Sequence, residues 1–71
     1  MITHLRLLWS RYSRRVAELE QARRELDQAI EDALGTGLRQ SNLAHLLGAD
    51  RRDIHEALRR QARRRERGEI E

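Results

Sequence analysis

Seventy-one residues limit the chain to one domain, and a core this small calls for a staple or a partner subunit. The absence of Cys excludes disulfides and zinc–thiolate sites, and no apolar run approaches the roughly 20 residues of a membrane span. All 15 basic residues are Arg, against 12 acids, for a net charge of +3.

The charge is unevenly placed. Residues 1–34 balance six Arg against six acids, whereas 51–67 hold eight Arg and three acids, so a polyanion would meet the C-terminal half first.

From Ile2 to Leu34 nothing interrupts a helix. Ala, Leu, Arg, Glu and Gln dominate, Thr3 stands at the start as a cap, and Gly35 fits the C′ position after the end. Such a helix is about 50 Å long. Leu5, Tyr12, Leu19, Leu26 and Ala33 recur every seven residues; Leu8, Ala22 and Ala29 fall three later, with Arg15 interrupting that row. Trp9, Val16 and Ile30 widen the stripe beyond a two-stranded seam. The opposite face, with Arg14, Glu18, Gln21, Glu25, Gln28 and Asp32, reads as solvated. The N-terminal segment lacks the basic region and small-residue cleavage site of a leader, so a cytoplasmic location is expected.

A Gly-Thr-Gly break precedes a second helical pattern, Leu38 to Leu47, with Leu43, Ala44, Leu46 and Leu47 as its apolar set. Gly48 ends it. Asp50 is placed to cap a third helix, 51–61, through the amide of Asp53, and Ile54, Ala57 and Leu58 line its inner face. Residues 38–62 form the second unit of the chain. Residues 63–71 lack apolar spacing and read as a basic, frayed tail.

Within Gln40–Arg59, Ala44 and Gly48 are four apart and Ile54 follows six later, with Leu43, Leu47, Ala49, Ala57 and Leu58 in the apolar slots around them. This resembles the helix-turn-helix of bacterial DNA-binding proteins, including the last DNA-binding region of sigma factors and small actinobacterial-type regulators. Each match has a physical reason. Ala44 is small where two helices cross closely, Gly48 is free to take positive φ, Ile54 faces back into the crossing, and Asp50 suits the positive end of a helix dipole.

The resemblance implies that the third helix enters the major groove, with Arg51, Arg52, His55, Glu56 and Arg59 on its outward face. Arg51 and Arg52 match the paired acceptors of guanine, and Glu56 accepts from cytosine or restrains an Arg. Arg39 binds phosphate at the start of the scaffold helix, and Arg60, Arg63, Arg64 and Arg65 add affinity independent of sequence.

The resulting expectation is an all-α protein, a long N-terminal helix followed by a helix-turn-helix. Residues 26–34 of that helix pack on the motif. Leu5, Leu8, Trp9, Tyr12, Val16 and Leu19 then remain for a homodimer interface, because so many exposed apolar side chains make a patch too large for a monomer. Double-stranded DNA is the expected partner, in a nucleoid-associated regulator or an accessory protein of plasmid, phage or nucleoid. No catalytic set, metal site, cofactor or small-molecule effector is indicated, since His4, His45 and His55 are scattered and no Gly-rich phosphate loop is present. The alternative is a coiled-coil adaptor or antitoxin-like interaction module with an arginine-rich surface.

Overall fold

The uninterrupted run of good helix formers gives one helix, α1 (Ile2–Gly35), in the computed structural model, which describes residues 1–70. Two shorter helices follow, α2 (Gln40–Leu47) and α3 (Arg51–Glu66). The described residues hold no strand, so the protein is all-α, with a long N-terminal helix ahead of a short helical pair. Its longest dimension, 54 Å, is set by α1.

The ends of α1 differ in detail from the sequence expectation. Met1, not Thr3, occupies the N-cap position, so Thr3 lies inside the first turn. Gly35 remains helical; Thr36 caps the end and the positive φ, 97°, falls on Gly37. The Thr36 hydroxyl donates to the carbonyl of Ala33 at 2.6 Å and the Gly37 amide to that of Leu34 at 3.1 Å. Together they satisfy two carbonyls that the helix end leaves without partners.

The chain turns between α2 and α3 at Gly48, which sits at φ 67°, ψ 28°. The amide of Ala49 donates back to the carbonyl of Ala44 at 2.9 Å, the long bond of a left-handed helix termination. A Cβ built on Gly48 meets nothing within 4 Å, so any penalty for a side chain comes from the backbone alone. Gly48→Ala is therefore expected to cost about 1–2 kcal/mol and lower Tm by roughly 5 °C or more, with Gly48→Asn less affected. Thermal melts followed by circular dichroism check this; an unchanged Ala variant refutes it.

Asp50 then opens α3. Its amide donates to the Asp53 carboxylate at 3.0 Å, completing a capping box. The helix continues to Glu66, past the point where the sequence reading places a frayed tail. Its end is closed by the amides of Gly68 and Glu69, which bond to the carbonyls of Arg65 and Arg64.

The core lies where the three helices meet: Ile30 from α1, Leu43 and Ala44 from α2, Ile54 and Ala57 from α3. Ala33, Leu34, Leu38 and Leu58 close around it. Leu26 and Ala29, expected in this packing, are exposed, as are Leu46 and Leu47 of α2. Only one side of an eight-residue helix faces the crossing, and Leu43 and Ala44 occupy it.

A second layer of contact holds α3 to α1, and it is polar. Asp27, Gln28 and Glu31 share a helical stripe facing Arg60, Gln61, Arg64 and Arg65. The Asp27 carboxylate is fully buried and accepts from Arg60 Nε and Nη2, at 2.9 and 2.8 Å, and from Arg64 Nη1 at 2.6 Å. Gln61 Nε2 donates to Gln28 Oε1 at 2.8 Å, and Arg65 makes a two-armed contact with Glu31. No buried side-chain polar atom among the described residues lacks a partner.

Candidate nucleic-acid interface

The exposed surface of α3 follows from the inner positions already assigned. With Ile54, Ala57, Gln61 and Arg64 turned inward, Arg52, Glu56, Arg59 and Arg63 form a ridge on the outward side, spaced four, three and four residues apart. His55 flanks that ridge, and Arg51 flanks it on the side of α2. All six are exposed.

Two open clefts border the ridge. In the first, Arg51 and His55 of α3 stand with Arg39, Gln40 and Ser41 at the beginning of α2, above Leu34 and Leu38. Arg39 has extended backbone as the N-cap of α2. The first amides of that helix point toward the same space, where a phosphate oxygen is favoured. In the second, Arg59 and Arg63 stand with Glu56, Arg60 and Arg23 of α1. Arg52 borders neither cleft and projects from the ridge.

The eight arginines of 51–67 fall into two groups. Arg60, Arg64, Arg65 and Arg67 are in ion pairs with Asp27, Glu31 or Glu69. Among the described residues, Arg51, Arg52, Arg59 and Arg63 are in none, nor is Arg39. The structure thus corrects two assignments. Arg64 is 4% exposed with its guanidinium on Asp27, so it offers no surface to a phosphate. Arg60 lies half-buried with both arms on the same carboxylate.

Electrostatics agree with this division. Burial acts to raise the pKa of Asp27, but the hydrogen bonds and charges of Arg60 and Arg64 outweigh it and hold the carboxyl below its ordinary 3.8. The hydrogen bonds from Arg65 likewise hold Glu31 below its usual range. Both acids are therefore ionised at neutral pH and offset part of the charge of the three arginines they hold.

The apolar spacing that located Ile54 and Ala57 carried no signal for this pairing. The signal present was two acids four apart, at 27 and 31, with Arg60, Arg64 and Arg65 at helical spacing to meet them and Gln61 to meet Gln28.

The residues expected at the dimer interface, Leu5, Leu8, Trp9, Tyr12, Val16 and Leu19, are all exposed on the part of α1 beyond the core. Among the described residues no group of His and carboxylates is close enough to hold a metal ion, and no helix is long and apolar enough to cross a membrane. The chain matches no family model, no curated protein and no solved structure.

Proposed function

We propose that this is a sequence-selective duplex-DNA-binding protein, a regulator or a plasmid, phage or nucleoid accessory protein, that presents the N-terminal part of α3 to the major groove and acts as a homodimer through α1. One observation supports it above the others. Of the arginines in the C-terminal half, Arg39, Arg51, Arg52, Arg59 and Arg63 are in no ion pair among the described residues and lie along the outward side of α3 and at the start of α2, whereas Arg60, Arg64 and Arg65, turned toward α1, are held by Asp27 and Glu31.

An α-helix fits the major groove, and a guanidinium fork matches the two acceptors of guanine. Arg51, Arg52 and His55 on the first turns of α3 read base edges in this account. Arg39, Arg59 and Arg63 bind phosphate on either side, which sets the register without sequence information. Glu56, amid the ridge, disfavours nonspecific binding by repelling phosphate, and accepts a hydrogen bond only where a cytosine amino group is offered. The resemblance of Gln40–Arg59 to bacterial helix-turn-helix proteins points the same way, as does the bend at Gly48 above Ala44 and Ile54.

Selection of bound sequences from a random duplex pool, followed by titration at two salt concentrations, tests the proposal. Binding is expected to weaken steeply with salt, each neutralised phosphate contributing about 0.9 to the logarithmic slope. Arg51→Ala and Arg52→Ala should each cost about 1–3 kcal/mol on the selected site and relax its sequence preference, while Arg59→Ala and Arg63→Ala weaken all duplexes alike. Identical behaviour of the two sets refutes the reading face. Absence of binding at micromolar protein in low salt favours the adaptor, with the apolar face of α1 as its working surface.

A further inference from the structure

Six apolar side chains on the free part of α1, Leu5, Leu8, Trp9, Tyr12, Val16 and Leu19, are between 41% and 68% exposed. Trp9 and Tyr12 lean on one another, ring centroids 5.5 Å apart, and with Leu5 and Leu8 they shape an open apolar hollow. The stripe continues along the same helix to Leu26, where it enters a second hollow walled by Ile30, Leu47 and Ala49. Trp9 and Tyr12 alone leave on the order of 250 Å² per copy uncovered. That is about a third of what each partner gives up in a standard interface, before the aliphatic residues are added.

We propose that a second copy of this chain covers this face with its α1 running antiparallel, Leu8 of each copy beside Leu19 of the other. Charge decides the direction. The first 17 residues hold four Arg and no acid, so parallel helices would align eight cations. A parallel pair in register also sets Arg15, which interrupts the apolar row, against its own copy.

The antiparallel pair reverses both effects. Of the positions flanking the stripe at seven-residue spacing, His4, Arg11, Glu18 and Glu25, the first two then meet the last two of the other copy: Arg11 faces Glu18 and His4 faces Glu25. Arg15 comes to lie over Tyr12 of the other copy, a cation against an aromatic face.

Apolar continuity agrees with the charges. With Leu8 beside Leu19, Ile2 comes level with Glu25, one residue short of Leu26 and the hollow beside Leu47, both of which a single copy leaves open. The overlap spans about 24 residues, or roughly 36 Å. If α3 reads DNA as proposed above, on which this consequence rests, the two reading helices stand on the order of 45 Å apart. That exceeds one turn of duplex, so the pair holds two separated sites rather than adjacent half-sites.

The orientation is measurable on the protein alone. The chain has no Cys, and Thr3 is exposed and off the stripe, so Thr3→Cys takes a single nitroxide label per copy. Sedimentation should give a dimer, and dipolar spectroscopy a spin–spin distance of about 40 Å, because Thr3 of one copy lies level with position 24 of the other and both labels project from the outer faces of the pair. A parallel pair separates the labels only across those two faces, by about 25 Å. A monomer at 100-micromolar scale, a trimer or larger assembly, or a distance below about 30 Å overturns the proposal. A dimer with the long distance that binds no duplex supports the pair and refutes the DNA reading alone.

Discussion

Asp27→Ala is expected to unfold the domain or leave α3 undocked from α1. The variant removes a carboxylate with no exposure, on which three guanidinium nitrogens converge. Arg60 can follow its freed charge into water, because a quarter of its side chain is already exposed. Arg64 cannot. At 4% exposure its only other hydrogen-bond acceptor is Gln61 Oε1, at 3.3 Å. Breaking a buried ion pair by deleting one partner costs about 3–5 kcal/mol. A core of this size rarely supplies more than about 3–5 kcal/mol in all, so the loss is comparable with the whole stability.

The charge itself is separable from the shape. Asp27→Asn keeps the volume and one acceptor and should lose less. Replacing Asp27 and Arg64 together by Leu removes the need for charge and should recover much of the loss, since buried ion pairs are often neutral against apolar residues of similar volume. Denaturant midpoints of the three variants give the comparison. A change under about 1 kcal/mol for Asp27→Ala would show that the carboxylate is not what anchors Arg64. The acid limb offers a second readout. The pKa of Asp27 is lowered on folding, so the unfolded chain binds more protons in acid. Its contribution is complete above about pH 5 and is lost as pH falls through the ordinary aspartate range and below. The double Leu variant should lack that share of the acid sensitivity.

The same cluster shows where sequence reading stopped. The breaks near Gly37 and at Gly48 were legible because a positive φ leaves few residue types to choose from. Ala44, Ile54 and Ala57 were legible because small and apolar residues recur at helical spacing. Beyond Ala57 the inner face of α3 changes chemistry to Gln61, Arg64 and Arg65, so apolar periodicity vanishes although the helix and its packing continue. A basic run without apolar residues then looks like a solvated tail. Its true partners lie 33 to 37 residues earlier in the chain, on a face of α1 where Gln28 had read as surface.

Pattern also overcounted the core. Leu46 and Leu47 are as apolar as Leu43, yet only Leu43 turns toward Ile30 and Ile54. Periodicity states which residues share a face of α2; it does not state how narrow a face the crossing covers. The candidate interface was more legible. Arg51, Arg52, His55 and Arg59 were placed outward by their spacing from Ile54, whereas Arg60 and Arg64 could be told from Arg63 only with the position of Asp27 in hand.

Ile54→Ala carries the other large expected effect. Ile54 is 1% exposed and is the largest of the fully buried side chains. It joins all three helices, meeting Ile30, Leu43, Ala44 and Ala57 in one cluster. Truncation loses the transfer free energy of the removed carbons and leaves a void that Ala44 and Ala57 are too short to fill, for a cost of about 2–5 kcal/mol. Leu46→Ala is the matched control: an apolar residue of the same helical pair, 72% exposed, expected to change stability by less than about 0.5 kcal/mol.

Chemical denaturation of both variants, read by circular dichroism, separates the two sites. The signal from α1 outside the core should respond less than the signal lost with α2 and α3, since Leu5 through Leu19 share no contact with Ile54 within one chain. Equal losses at Ile54 and Leu46 would mean that the helices cross elsewhere. In that case the outward ridge of Arg52, Glu56, Arg59 and Arg63, which is defined only by its position opposite Ile54, would have to be redrawn with it.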